Sequence, residues 1–192
     1  MRLFVALQIP SDVREQIASL IKELRQDSPQ SSGDSPKWIR PQNLHVTLKF
    51  IGEVPAENLA PIRNALAHIP PGKQIALEFR GLGFFPNEQN PRVLWMGIAD
   101  SSNVKTFAAS IDLALEHVGI PREHRAFQPH LTLARFASCG PNAKLRASIA
   151  RNWARGFGSL RAKDFHLMES KLKSSGAEYT TVQSFPFAET EA

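Results

Sequence analysis

The sequence predicts an α+β protein in which two pseudo-symmetric lobes of antiparallel sheet plus helices surround a central groove. Two observations carry that prediction. Strand-like and helix-like segments are mixed along the chain without strict βαβ alternation, which argues against a parallel, doubly wound sheet. One short word, His-apolar-Thr-Leu, also occurs twice, as His45-Val46-Thr47-Leu48 and as His130-Leu131-Thr132-Leu133. With six His and six Thr in 192 residues, even one His-x-Thr pair is unexpected by chance. The duplication suggests two related lobes within a single bilobal domain covering 1–192.

The elements follow in order. Residues 2–8 are apolar enough for a buried strand. Pro10, Ser11 and Asp12 then open a helix with Val13, Ile17, Leu20, Ile21 and Leu24 on one face. Residues 28–36 are rich in Ser, Pro, Gly and Asp, a loop composition that serves either as a flap near a site or as plain surface. Strand signals resume at Lys37–Ile39 and Leu44–Ile51. A second helix follows Pro55 with Leu59, Ile62 and Leu66 inward. Residues 74–82 and 92–98 read as strands joined by a Pro/Asn-rich loop. The best helical spacing runs over 102–118, through Val104, Phe107, Ala108, Ile111, Ala114, Leu115 and Val118, and Gly119 and Pro121 end it. A basic loop, the second His-x-Thr strand and an amphipathic stretch at 143–152 come next. Strands near 163–172 and 178–185 then form a hairpin around Lys173-Ser174-Ser175-Gly176.

Bulk properties narrow the function. The apolar fraction of 42% supports a packed core. A net charge of +5 and a pI near 9.7 favour an anionic partner, although a basic surface also serves solubility alone. The single Cys139 cannot form an internal disulfide and fits a reducing compartment. The apolar run at the N-terminus is too short for a signal peptide, and no stretch approaches a transmembrane span. A soluble, cytoplasmic chain without membrane attachment is expected. There is no Gly-x-Ser-x-Gly and no Gly-rich phosphate loop; Gly81-Leu82-Gly83 reads as a bend or bulge.

The repeated word carries the chemistry. In a strand, His and Thr at i and i+2 share one face while Val46/Leu48 or Leu131/Leu133 enter the core. Two such strands facing one groove gather two imidazoles and two hydroxyls around a small ligand. Near neutral pH one imidazole can accept a proton while another donates one, each role contributing roughly 10²–10⁴ in rate. Thr47 and Thr132 can bond non-bridging phosphoryl oxygens, and phosphoryl transfer depends mostly on positioning and charge stabilisation. This inventory suits a phosphodiester with a reactive leaving group and requires no metal or other cofactor. Two His without spaced carboxylate or thiolate companions make a poor zinc shell. His68, His117, His124 and His166 lack the pattern and read as structural.

On these residues the chain resembles the two-histidine phosphoesterase superfamily, and within it the RNA 2′,3′-cyclic phosphodiesterases, also called the 2′-5′ RNA ligase family. The resemblance covers nearly the whole chain. It includes Arg2–Leu7, Asn43–Val54, Arg92–Trp95, Phe127–Arg135, and Met168–Leu172 leading to Tyr179 and Phe185-Pro186. It implies hydrolysis of a 2′,3′-cyclic phosphate to a 2′-phosphomonoester, two lobes around a groove, no required metal, and a weak reversible 2′-5′ ligation in some members. By the same resemblance His45 protonates the leaving 3′-oxygen, His130 activates water, Arg135 contacts the phosphate and Phe50 stacks on a base. Strict alternation places both Phe50 and Arg135, five positions after each His, on the wrong face, so each strand must end, twist or bulge to deliver them.

The expected partners are RNA with 2′,3′-cyclic phosphate ends or small cyclic nucleotides, handled by a monomer. Two other readings stand beside this one: a phosphodiesterase for another small cyclic phosphate, and a non-catalytic RNA-binding module. The basic residues Lys144, Arg146, Arg151, Arg155, Arg161 and Lys163 serve either as an RNA contact or as a solvated surface.

Overall fold

The computed structural model describes residues 1–28, 35–70, 74–137, 140–174 and 176–188. Cys139, the middle of the 28–36 loop and Ser175 of the hairpin turn lie outside the described residues.

Strand β1 (Arg2–Gln8) is apolar at five consecutive positions because both of its faces are covered. Leu3, Val5 and Leu7 enter the main core, and Phe4 and Ala6 enter a small separate cluster with Met168. Helix α1 (Ser11–Gln26) buries the five residues its spacing predicts. A two-residue strand β2 (Lys37–Trp38) and a 3-10 turn precede β3 (His45–Glu53), which is followed by α2 (Leu59–Ala67). Strands β4 (Ile75–Phe85) and β5 (Val93–Ala99) lead to α3 (Ser102–Glu116). Gly119 stops α3 at φ +83°, where Gly119 N bonds Glu116 O and Ile120 N bonds Leu115 O. That is a Schellman closure, which needs the left-handed residue glycine supplies. The chain ends with β6 (His130–Arg135), α4 (Ala143–Arg151), β7 (Gly156–Ala162), β8 (Asp164–Lys173) and β9 (Gly176–Pro186).

The strands form one antiparallel sheet in the order β7-β4-β5-β6-β3-β1-β8-β9, with β2 also paired to β6. This order is symmetric about the β6–β3 junction, and each half has its His-x-Thr strand innermost. The fold is therefore α+β, with two half-sheets meeting along the repeated words. All four helices bury their apolar residues in one cluster with one face of the sheet. The opposite face is left to the imidazoles. No helix among the described residues is long and apolar enough to cross a membrane.

Strand β7 is not evident from the sequence. Gly156 and Gly158 weaken its pattern, and a register shift against β4 between Glu78 and Arg80 breaks its alternation. Phe157, Leu160 and Ala162 are buried nonetheless.

Candidate active site

Val46 pairs with Leu131 where β3 meets β6. An antiparallel register centred there sets His45 beside Thr132 and Thr47 beside His130. Val46 and Leu131 are fully buried on the helix side, so the two His and two Thr share the other face.

Phe50 and Arg135 reach that same face because both strands bulge at the same offset. Along β1, Ala6 pairs Thr47 but Val5 pairs Lys49, so Leu48 is an extra residue. Along β5, Trp95 pairs Thr132 but Leu94 pairs Ala134, so Leu133 is extra. One inserted residue returns the fifth position to the face of the His. Burial follows the bulge. Leu48 and Lys49 are both buried, as are Leu133 and Ala134, whereas Phe50 is 66% exposed and Arg135 is exposed.

Each imidazole is held in the same way. His45 Nδ1 donates to Asn43 O at 2.7 Å, and His130 Nδ1 donates to Gln128 O at 2.7 Å. A carbonyl only accepts, so in each neutral ring the proton sits on Nδ1 and Nε2 carries the lone pair. The aromatic surroundings differ. His45 lies against Phe4 and Tyr179, with centroids 4.9 and 5.0 Å away, and His130 meets the edge of Phe85 at 4.9 Å.

Burial is the main cause that pulls both imidazoles below the usual histidine range. The carbonyl bonds to Asn43 and Gln128 oppose it, and the Arg135 charge adds to it at both rings. His45 is lowered further by the charge of His130. Arg135 is therefore close enough to act on both rings. No carboxylate among the described residues pairs with it.

Several neighbours of the pair carry no motif of their own in the sequence. Trp95 stands opposite Thr132, and a Cβ on Gly83 would lie 2.3 Å from its ring, so Gly83 makes room for the indole. Tyr179 and Phe4 flank His45. The alternation of Val93, Trp95 and Gly97 against buried Leu94 and Met96 is the available signal for Trp95. His166 stays apart from the pair. Buried on β8, it bonds Ser184 Oγ at 2.9 Å and Asp164 at 3.1 Å. His68 and His117 cap the C-terminal ends of α2 and α3, and His124 lies exposed in a loop.

Of the six basic residues read as either an RNA contact or a solvated surface, four are engaged by other groups of the chain. Lys144 and Arg151 reach Asp27, Arg155 reaches Glu23, and Arg146 bonds the carbonyls of Pro141 and Glu88.

Lys49, turned inward by its bulge, meets Asp112 of α3 and the carbonyl of Pro121. Asp112 also accepts from the Glu123 backbone N at 3.2 Å and faces Arg122 at 3.5 Å. One carboxylate thus ties the His45 strand to the loop that leads to His130. Among the described residues no group of three or more His, Cys, Asp or Glu side chains is gathered to hold a metal.

The family described as LigT like Phosphoesterase matches residues 7–95 and 98–179. A protein of Archaeoglobus fulgidus named RNA 2′,3′-cyclic phosphodiesterase is 34% identical over 186 residues, covering 96% of this chain and 99% of its own. One of the same name from Methanocaldococcus jannaschii is 32% identical, covering 96% and 100%. The crystal structure of TT0787 from Thermus thermophilus superposes with a TM-score of 0.78 at 29% identity, over 97% of this chain and 98% of that one.

Proposed function

Since the chain belongs to the LigT-like phosphoesterase family, we propose that it hydrolyses 2′,3′-cyclic phosphate ends of RNA to 2′-phosphates by paired-histidine acid–base catalysis. The observation that supports this best is the pair of Nε2 atoms left free by matching Nδ1–carbonyl bonds, with Arg135 on the same face. In this mechanism His130 Nε2 takes a proton from water as the water oxygen bonds to phosphorus. The bond from phosphorus to the 3′-oxygen breaks, and protonated His45 Nε2 gives its proton to that oxygen. The phosphate stays on the 2′-oxygen. Thr47 and Thr132 hydroxyls donate to the non-bridging oxygens, and Arg135 offsets their charge. Phe50, an exposed ring 6.4 Å from Phe4, is the surface on which the base stacks. With an RNA 5′-hydroxyl in place of water, the same proton transfers in the same direction would form a 2′-5′ bond and free the 3′-hydroxyl.

The order of acid and base is tested with a substrate whose 3′-leaving atom is sulfur, which departs without a proton. It should restore turnover to His45→Ala and leave His130→Ala inactive. Rescue of His130→Ala alone would exchange the two roles.

Arg135→Gln gives an independent check. Catalysis needs one imidazole protonated and one neutral, so the bell-shaped profile of kcat/KM falls between two lowered values. Its optimum should lie on the acid side of the ordinary histidine value of about 6.5. Removing the Arg135 charge raises both values, so the optimum should move to higher pH while kcat/KM drops. The melting temperature should hold, because the side chain is exposed. A sharp fall in melting temperature with unchanged turnover would make Arg135 a structural residue.

A further inference from the structure

The geometry points to a second anion site, made by Lys37 and Arg135, that receives the phosphodiester on the 5′ side of the terminal cyclic nucleotide. This rests on the reading of the site as an RNA cyclic phosphodiesterase.

Strand β2 contributes only two residues to the sheet, and their register is informative. Trp38 pairs with Ala134, and Lys37 pairs with Arg135. Ala134 is fully buried and Trp38 packs against the core. Lys37 therefore shares the opposite face with Arg135, which is the face of the imidazoles.

Two cations directly opposite each other across a strand pair destabilise the sheet. Several other cations meet carboxylates: Lys49 and Arg122 share Asp112, Lys144 and Arg151 share Asp27, and Lys173 meets Glu178. Among the described residues, no carboxylate pairs with Lys37 or Arg135. A lone edge lysine wards off strand addition, but that role needs no arginine across from it. An anion between the two would turn the repulsion into attraction.

The position of the pair selects which anion. Arg135 acts on both imidazoles. Along β6, Thr132 stands beside His45, and Arg135 follows three residues later, about 7–10 Å away at strand rise. The Arg135–Lys37 pair thus stands together at this distance along β6 from the reacting phosphate, with Lys37 directly opposite Arg135. A 3′-terminal cyclic phosphate has a neighbouring phosphate only on the 5′ side of its nucleotide. The substrate class this favours is an RNA chain rather than a nucleoside 2′,3′-cyclic phosphate.

The test compares kcat/KM for three substrates: a nucleoside 2′,3′-cyclic phosphate, its 5′-phosphorylated form, and a dinucleotide ending in the same cyclic nucleotide. The wild type should prefer the dinucleotide to the unphosphorylated nucleoside. Lys37→Gln should reduce that preference about tenfold, the size of a charge-assisted hydrogen bond, and Lys37→Arg should keep it. Lys37→Gln should also hold or raise the melting temperature, since a like-charge contact is relieved. An unchanged preference, or a loss of stability in Lys37→Gln, overturns the assignment. A loss seen with the 5′-phosphomonoester and not with the dinucleotide assigns the pair to free nucleotides and overturns the RNA reading. If the wild type turns over none of the three, the proposed function fails and the anion site fails with it.

Discussion

Alanine at His45 or at His130 should each reduce turnover of a 2′,3′-cyclic phosphate by about 10²-fold or more, the usual contribution of one acid or base. The double variant should lose little beyond the worse single one, because the two rings serve one displacement and their effects do not add. Both variants should stay folded. His130 packs against the Phe85 ring, and His45 packs on Phe4 and Tyr179 in a small cluster separate from the main core. Steady-state kinetics with thermal unfolding of the same samples separates the two effects. A single variant with near-normal turnover would remove that histidine from the mechanism.

The largest effect on stability is expected at a residue outside the site. Asp112→Ala should destabilise the protein by about 3 kcal/mol, because it leaves the Lys49 ammonium buried without its counter-charge. The two side chains are only 6% and 14% exposed. Combining Lys49→Met with Asp112→Leu should recover much of that loss, since an apolar pair of similar volume needs no desolvation of charge. The pH dependence follows from the same pair. Burial alone would push the Asp112 carboxyl up, but bonds from Lys49, the Glu123 backbone and Arg122 hold it below the usual carboxylate range. A lowered folded value means that this stability is present above the unfolded carboxylate value and is lost as pH falls through the folded one. Denaturant unfolding of the variants against pH would show it. An Asp112→Ala protein as stable as the wild type at neutral pH would mean that Lys49 is satisfied by Pro121 O alone.

The helices are legible in the sequence because their buried faces keep a 3.6-residue spacing, as Val13, Ile17, Leu20, Ile21 and Leu24 do in α1. The two histidines are legible because the same word occurs twice. The bulges are not. In β3, alternation without a bulge sends Lys49 outward and Phe50 inward, a pattern that looks sensible and is wrong. In β6 the same rule sends Arg135 into the core, and that misfit is the one local sign of an inserted residue. Lys49 can be buried only because Asp112 waits for it on α3, a contact 63 residues away along the chain. The closeness of Lys37 to Arg135 likewise exists only once β2 has paired with β6. Local periodicity thus identifies the two His-x-Thr strands, while tertiary pairing decides which of their later residues share the face of the imidazoles.

The central claim is that paired imidazoles open a 2′,3′-cyclic phosphodiester and leave the phosphate on the 2′-oxygen. Phosphorus NMR of a 2′,3′-cyclic phosphate-ended RNA, incubated with the purified protein in excess chelator, tests it most directly. The cyclic phosphate resonance should give way to a single 2′-phosphomonoester resonance at a rate the chelator does not change. A persistent cyclic resonance, a 3′-phosphate product, or activity that returns only when a divalent metal is restored would contradict the account.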